Sequence, residues 1–168
     1  LFRSIGQAIA KRASGFSMNV MYHNRSRLSP DLEQECGARY VDRDTLLKES
    51  DHIILVMPYT PENHHLFGEK ELSLMKPTAT LINIARGGIV DELALAKALK
   101  EKRIFAAGID VFEGEPTVRP ELLALSNVVL SPHIASATEK TRRAMIELAI
   151  KNCLAGLAGQ TPPNLIAY

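Results

Sequence analysis

Five short apolar runs, each without a polar face, alternate with segments of helical composition along this 168-residue chain. The runs lie at 20–22, 52–57, 80–84, 105–111 and 127–130. Strands that lack a polar face are typical of parallel sheets covered by helices on both sides. The sequence therefore predicts an α/β fold with a doubly wound parallel sheet, built from right-handed βαβ units.

The segments between these runs are predicted to be helices at 7–13, 44–50, 69–75 and 91–100, with Asp91 as a plausible N-cap. A longer stretch from 138 to about 157 predicts a closing helix of roughly 20 residues, ~30 Å long. This helix is expected to end the domain and lead out of it.

Charge and cysteine content exclude several classes of protein. Twenty basic and nineteen acidic residues give a net charge of +1, so nothing points to nucleic acid or to an anionic membrane as partner. Cys36 and Cys153 form no CxxC pair or larger framework, which favours the reducing cytoplasm. We also expect no membrane association, because no apolar run approaches ~18 residues.

Polar and charged residues follow the predicted strands, at the edge where doubly wound sheets bind ligands. Three of these groups complement one another: the Arg86 guanidinium, the Glu115 carboxylate and the His133 imidazole. A fixed cation, a carboxylate and a titratable proton donor are what is needed to hold a 2-keto acid and protonate its oxygen as hydride arrives. By contrast, His64 and His65 have no carboxylate or cysteine at ligand spacing, so no metal site is expected there.

The amino terminus has only part of a dinucleotide-binding glycine turn. Gly6 stands where the third glycine of a GxGxxG pattern belongs, whereas Leu1 and Arg3 occupy the other two positions. No strand precedes this turn, although a doubly wound sheet needs one at its centre. Either Leu1 and Arg3 are true replacements, or the first strand and part of the glycine turn are missing from the chain, and the absent central strand favours the second alternative.

Several long motifs in a fixed order are similar to one family. They are Ile5-Gly6-Gln7-Ala8, Tyr22-His23-Asn24-Arg25-Ser26, Met57-Pro58-Tyr59-Thr60-Pro61-Glu62 and the stretches around Arg86, Glu115 and His133. The chain resembles the nucleotide-binding domain of the D-2-hydroxyacid dehydrogenases, most closely their glyoxylate/hydroxypyruvate and 2-ketogluconate reductase branch. The resemblance implies a Rossmann-type domain at 1–159, a return to a largely absent substrate domain at 160–168, and a homodimer.

The resemblance also implies the roles of individual residues. Arg86 would clamp the substrate carboxylate and keto oxygen, His133 would donate the proton, and Glu115 would hold the imidazole. The implied cofactor-binding residues are Ser4, Ile5, Gly6, Asn24, Arg25, Ser26, Arg27, Pro58, Ala85, Arg86, Asp110, His133 and Ser136.

The end of the run at 20–22 bears on the choice of cofactor. An NAD-specific site offers a carboxylate there, which would repel a 2′-phosphate. This chain has Asn24, Arg25, Ser26 and Arg27 instead, a neutral residue and two cations that could receive a phosphate. The sequence favours NADP(H), with NAD(H) possible, although a basic turn can also be merely solvated.

Two functional classes are open at this point. An NAD(P)H-dependent reductase of 2-keto acids such as glyoxylate, hydroxypyruvate or 2-ketogluconate is favoured, with an NAD-dependent phosphoglycerate dehydrogenase as the nearer rival. A non-catalytic, dinucleotide-sensing module like the C-terminal-binding corepressors is the alternative. The chain alone is expected to be inactive as a reductase, because it supplies only one wall of the substrate cleft.

Overall fold

The computed structural model describes residues 4–166, which contain seven α-helices and six β-strands. The helices are α1 (Ser4–Ser14), α2 (Pro30–Cys36), α3 (Arg43–Glu49), α4 (Glu69–Leu74), α5 (Glu92–Lys100), α6 (Pro120–Leu123) and α7 (Glu139–Leu157). The strands are β1 (Val20–Tyr22), β2 (Ala38–Tyr40), β3 (His52–Leu55), β4 (Thr80–Asn83), β5 (Ala106–Ile109) and β6 (Val128–Leu130).

All six strands pair in parallel, as predicted, but they form two sheets. Strands β3-β4-β5-β6 pair in that order, with His52 opposite Thr80 and Thr80 opposite Ala106. Strand β1 pairs only with β2, from Val20 opposite Ala38 to Tyr22 opposite Tyr40. Within residues 4–166, no ladder joins β1 to the larger sheet. The α/β class with helices flanking a parallel sheet is confirmed, whereas the expected single sheet is divided.

The main core lies between the larger sheet and the helices that connect its strands. Leu81 of β4, together with Leu95 and Leu99 of α5, is at most 1% exposed. Helix α5 begins where expected, because the Asp91 carboxylate accepts hydrogen bonds from the amides of Leu93 (3.0 Å) and Ala94 (3.1 Å). A smaller core under β1 and β2 contains Ala10, Tyr22, Cys36 and Ala38.

The sequence did not predict α2, β2 or α6, and several predicted strands are longer than those in the structure. Helix α2 has clear end signals, since the Ser29 hydroxyl caps its start, Pro30 is its first residue and Gly37 ends it at φ 59°. These elements have only three to seven residues, too few to show a period. The predicted strand at 52–57 ends at Leu55, where the chain leaves the sheet.

The chain divides into two compact units, Leu1–Pro132 and His133–Tyr168. The second unit contains α7, whose start is capped by the Thr138 hydroxyl accepting from the Thr141 amide at 3.2 Å. No residue of α7 is buried, and none of the helices described here is long and apolar enough to cross a bilayer. The domain boundary after residue 159 stays a prediction.

Candidate active site

The turn that carries Arg86 is held by a buried asparagine. Asn83, the last residue of β4, is 2% exposed. Its side-chain oxygen accepts from the Ala85 amide (3.1 Å), and its side-chain nitrogen donates to the Arg86 carbonyl (3.2 Å). Ala85 is buried by this turn while Arg86 is exposed at the carboxyl end of the strand. The guanidinium donates to the Ala85 carbonyl at 2.6 Å.

Gly87 packs this turn directly against the loop that follows β5. A Cβ added at Gly87 would lie 1.9 Å from the Phe112 carbonyl oxygen and 2.6 Å from the Glu113 amide nitrogen. Only glycine permits so close a backbone approach. Gly87 is thus required by the chain's own backbone packing.

Glu115 lies on the loop that Gly87 contacts. Its carboxylate accepts from the Phe112 amide at 2.9 Å, which folds the loop back on itself. At the start of the loop, the Asp110 amide donates to the Asn83 carbonyl (3.0 Å), and the Ser131 hydroxyl donates to the buried Asp110 carboxylate (2.6 Å). Arg86 and Glu115 therefore stand on interlocked loops at the carboxyl ends of neighbouring strands.

His133 begins the second unit and has an uncommon backbone conformation. Its φ is 53°, in the left-handed region that residues other than glycine rarely adopt. Such strained residues concentrate at functional sites. The predicted cofactor residue Ser136 is exposed in the same unit. The predicted partnership of His133 with Glu115 stays a prediction.

The start of α1 supplies three of the predicted cofactor residues. Ser4, Ile5 and Gly6 form the first described turn of the helix, with Gly6 buried and Ile5 61% exposed. A helix N-terminus offers amides to a phosphate, and a buried glycine allows close packing behind it. The expectations about Leu1 and Arg3 lie outside the described residues.

The loop after β1 distinguishes its two arginines. Arg27 donates to both carboxylate oxygens of Glu33, at 2.8 and 2.7 Å. The Tyr22 hydroxyl adds a third hydrogen bond at 2.8 Å, and Arg27 and Tyr22 together lower the pKa of Glu33 to about 2. Arg25 is exposed and forms neither a hydrogen bond nor an ion pair among residues 4–166; it is only the last of the groups that lower the pKa of Glu62, after Thr60. Asn24 is buried, and its carbonyl accepts from the Tyr40 hydroxyl.

The loop after β3 forms a charged cluster that the sequence analysis did not anticipate. Pro58 is exposed, and its carbonyl accepts from the Asn63 side chain at 2.8 Å. Further along, His65 Nε2 lies 3.0 Å from a Glu113 carboxylate oxygen, so the carboxylate judged absent beside His64 and His65 is present in space. Glu113 is 48 residues away in sequence, and no local pattern could have revealed the contact.

Glu92 and Arg119 extend the cluster into the protein. Glu92 is 3% exposed, and its carboxylate lies 3.3 Å from Arg119 Nε and accepts from the Glu113 amide at 2.7 Å. Burial raises the pKa of Glu92, although the Glu113 amide and Arg119 oppose that effect. Glu113 is therefore fixed through both its backbone and its side chain, two residues before Glu115.

Comparison with known proteins places the chain in a family. Residues 2–135 match the model of the D-isomer specific 2-hydroxyacid dehydrogenase NAD-binding domain. The chain belongs to this family and carries its NAD-binding domain.

Individual relatives agree with this assignment. The chain is 57% identical to the glyoxylate reductase of Thermococcus litoralis over 165 residues, covering 98% of the chain and 50% of that protein. It is 49% identical to a glyoxylate/hydroxypyruvate reductase B of Enterobacter agglomerans over 164 residues, covering 96% of the chain and 50% of that protein. The chain thus spans about half the length of the curated relatives it matches.

A solved structure shares the fold closely. A putative D-isomer specific 2-hydroxyacid dehydrogenase from Polaromonas sp. superposes with a TM-score of 0.91 at 43% sequence identity. The match covers 97% of this chain and 51% of that one.

Proposed function

We propose that this chain is the nucleotide-binding half of an NAD(P)H-dependent reductase that converts 2-keto acids of the glyoxylate, hydroxypyruvate and 2-ketogluconate class to D-2-hydroxy acids. The observation that carries the proposal is the interlocking of the Arg86 turn with the Glu115 loop through Gly87. The names of the relatives support the same chemistry.

In this proposal each charged group acts on a different part of the substrate. Arg86 binds the carboxylate and keto oxygen, because a planar, permanently charged guanidinium can donate two parallel hydrogen bonds. His133 gives a proton to the keto oxygen as that oxygen gains charge. Glu115 accepts a hydrogen bond from the imidazole and favours its protonated form.

The residues at the strand ends suit a dinucleotide. The start of α1 at Ser4 would face a phosphate, and the loop from Asn24 to Arg27 would receive the ribose edge. Ala85, Arg86 and Asp110, at the carboxyl ends of β4 and β5, would line the nicotinamide side. A bound dinucleotide would supply the hydride. We further propose that NADP(H) is preferred and that Arg25 makes the main phosphate contact, since Glu33 already neutralises Arg27.

Steady-state kinetics of the complete protein test the catalytic roles. Arg86→Lys should lower kcat with glyoxylate by about 100-fold, because charge is kept but the two-point geometry is lost. Arg39→Lys, an equally conservative change at an exposed position of β2, should leave kcat unchanged. A fully active Arg86→Lys variant would contradict the proposal.

The pH profile tests Glu115. Glu115→Gln should move the profile of reduction to lower pH, because a neutral amide no longer stabilises the imidazolium of His133. If the profile does not move, Glu115 is not the partner of His133. The isolated 168-residue chain should show no measurable reduction, since in this proposal it supplies only one wall of the substrate cleft.

Cofactor titration tests the preference. Arg25→Gln should reduce the preference for NADPH over NADH by roughly ten- to hundredfold, the value of one charge-assisted contact. Arg27→Gln is the matched control and should have a much smaller effect. Equal or tighter binding of NADH to the unchanged protein would rule out the NADP(H) preference.

We also propose a cytoplasmic homodimer. Its support is the row of exposed apolar side chains on α7, where Met145, Ile146 and Leu154 are each 58–61% exposed, a surface that a second copy could cover. Light scattering of the complete protein should give twice the mass of one chain. A monomer at micromolar concentration would contradict this assembly.

A further inference from the structure

Two imidazoles and one carboxylate meet in the first unit, apart from the residues assigned to the reaction. His64 and His65 stack with ring centroids 3.8 Å apart and an interplanar angle of 22°. Each faces a different oxygen of Glu113, with Nε2 of His65 at 3.0 Å and Nε2 of His64 at 3.9 Å. One ligand atom from each residue lies within 4.8 Å of the other two.

The backbone at His65 allows both rings to lie on one side. Consecutive side chains of an extended chain point in opposite directions. His65 departs from this rule with φ 51°, a conformation that residues other than glycine seldom adopt. Hydrogen bonds from the His65 amide to the Gly88 carbonyl (2.7 Å) and from the Phe67 amide to the Ile89 carbonyl (3.0 Å) hold it there. The strained backbone is therefore built into the fold.

The His64 ring is oriented by a hydrogen bond. The Tyr59 hydroxyl lies 3.2 Å from Nδ1 of His64, so Nε2 is the nitrogen that faces Glu113. Histidines that bind metals are usually held in this way through their second nitrogen. Glu113 is held as well, because its amide donates to the buried Glu92 carboxylate.

We propose that His64, His65 and Glu113 bind one divalent transition-metal ion of the Zn²⁺ type. Imidazole nitrogen and carboxylate oxygen are ligands that Zn²⁺ accepts, at about 2.0–2.2 Å. Three protein ligands leave a fourth position for water. A tetrahedral ion at this distance holds its ligand atoms about 3.4 Å apart. Nε2 of His64, 3.9 Å from Glu113, must therefore move closer, and its ring must turn out of its stack on His65 so that both imidazoles aim at one ion. The His64 side chain is 42% exposed and has room to turn.

Arg119 sets the expected strength of binding. Its guanidinium lies 3.8 Å from the Glu113 oxygen that faces His65 and so repels an incoming cation. We therefore expect micromolar rather than nanomolar affinity. The site does not depend on dinucleotide or substrate, so it can be tested whether or not the protein is a reductase.

Calorimetric titration of Zn²⁺ into the purified protein at neutral pH is the direct test. Cys153 is exposed and should first be changed to Ser, so that its thiol cannot bind the metal. We expect one Zn²⁺ per chain, and a loss of about tenfold or more in affinity for His65→Ala and for Glu113→Gln. Tyr59→Phe should cause a smaller loss, because it only frees the His64 ring. Co²⁺ should give a visible absorption spectrum that disappears in the same variants.

His52→Ala is the matched control, because His52 is an exposed imidazole bonded to the Thr80 hydroxyl on another part of the unit. It should leave both the affinity and the Co²⁺ spectrum unchanged. Glu113→Gln preserves the shape of the side chain and decides the matter if His65→Ala fails to fold. No binding at millimolar Zn²⁺, or an affinity that Glu113→Gln leaves unchanged, would overturn the proposal. An equal loss in His52→Ala would show adventitious binding to surface imidazoles and would overturn it too.

Discussion

Charged side chains lie at two places in the first unit, the carboxyl ends of β4 and β5 and the carboxyl end of β1. The backbone that carries these side chains is held differently at the two places. At β4 and β5, the 2% exposed Asn83 and the Gly87–Phe112 contact fix the backbone beneath Arg86 and Glu115. After β1, the loop is held largely by hydrogen bonds to the Glu33 carboxylate, from the buried Tyr22 and from Arg27, whose side chain is 64% exposed.

This difference indicates where the fold tolerates substitution of side chains. Buried polar groups and close backbone contacts are costly to lose, whereas exposed ion pairs contribute little. The side of the unit proposed for catalysis is therefore rigid in its backbone. The side proposed for cofactor choice can vary its charges without loss of the fold.

The largest expected effect comes from adding one methyl group between the two catalytic loops. Gly87→Ala places a Cβ 1.9 Å from the Phe112 carbonyl oxygen, and backbone on both sides must move. We expect a loss of about 3 kcal/mol or more in the free energy of unfolding, measured by urea denaturation.

Gly108→Ala is the control for this change. Gly108 lies in β5 of the same sheet, and an added Cβ would meet only the Ile82 side chain at 3.8 Å, an ordinary contact. We expect a change below about 1 kcal/mol. If both variants are equally stable, the close contact at Gly87 is not what joins the loops.

A smaller loss is expected when the buried asparagine is removed. Asn83→Ala deletes two hydrogen bonds and leaves the Ala85 amide without its acceptor, at a cost of about 2–3 kcal/mol. Asn63→Ala is a matched control, since Asn63 also bridges two backbone groups (the Thr60 amide and the Pro58 carbonyl) but at the surface. Urea denaturation should show a loss of about 1 kcal/mol or less for the control. Equal losses would mean that burial does not distinguish the two turns.

The same contrast explains what the sequence could predict. Local patterns predict the class of fold, the capped start of α5 at Asp91, and the positions of Arg86 and Asp110 at strand ends. They can do so because periodicity, capping and chain order are properties of neighbouring residues. The division into two sheets does not follow from local patterns, because the pairing of strands depends on residues that are distant in sequence. Helix α2 was not predicted, although Ser29, Pro30 and Gly37 are residue types typical of the start and end of a helix.

Contacts between charged side chains were the least predictable part of the site. Arg25 and Arg27 are equivalent in the sequence, yet only Arg27 is neutralised, by a carboxylate six residues away. Glu113 reaches His65 across 48 residues. Both contacts arise from how the loops pack at the sheet edge, which residue types alone do not specify.

At the β1 end, the most sensitive group is the Tyr22 hydroxyl. Tyr22 is 3% exposed, and its hydroxyl accepts from the Leu28 amide (2.8 Å) and donates to Glu33 (2.8 Å). Tyr22→Phe should cost about 1 kcal/mol in the free energy of unfolding, measured in urea. Tyr40→Phe, which loses one longer bond of 3.3 Å, should cost less. A loss for Tyr22→Phe as large as that of Asn83→Ala would contradict the difference between the two regions.

The effect of Glu33→Gln, unlike that of the other variants, should depend on pH. Arg27, and then Tyr22, hold the pKa of folded Glu33 at about 2, below its ordinary value of 4.5. A lowered pKa means that the charged form stabilises the fold above pH 4.5, and that this contribution disappears as the pH falls toward 2. The difference in unfolding free energy between the parent and Glu33→Gln should therefore be constant near neutral pH and shrink between pH 4.5 and 2. Arg27→Gln should remove most of this pH dependence, and salt should weaken it, because the Arg27 side of the pair is exposed to solvent. A difference that stays constant, or grows, as the pH falls would show that Glu33 is not held by Arg27 in solution, and would leave Arg27 as available to a phosphate as Arg25.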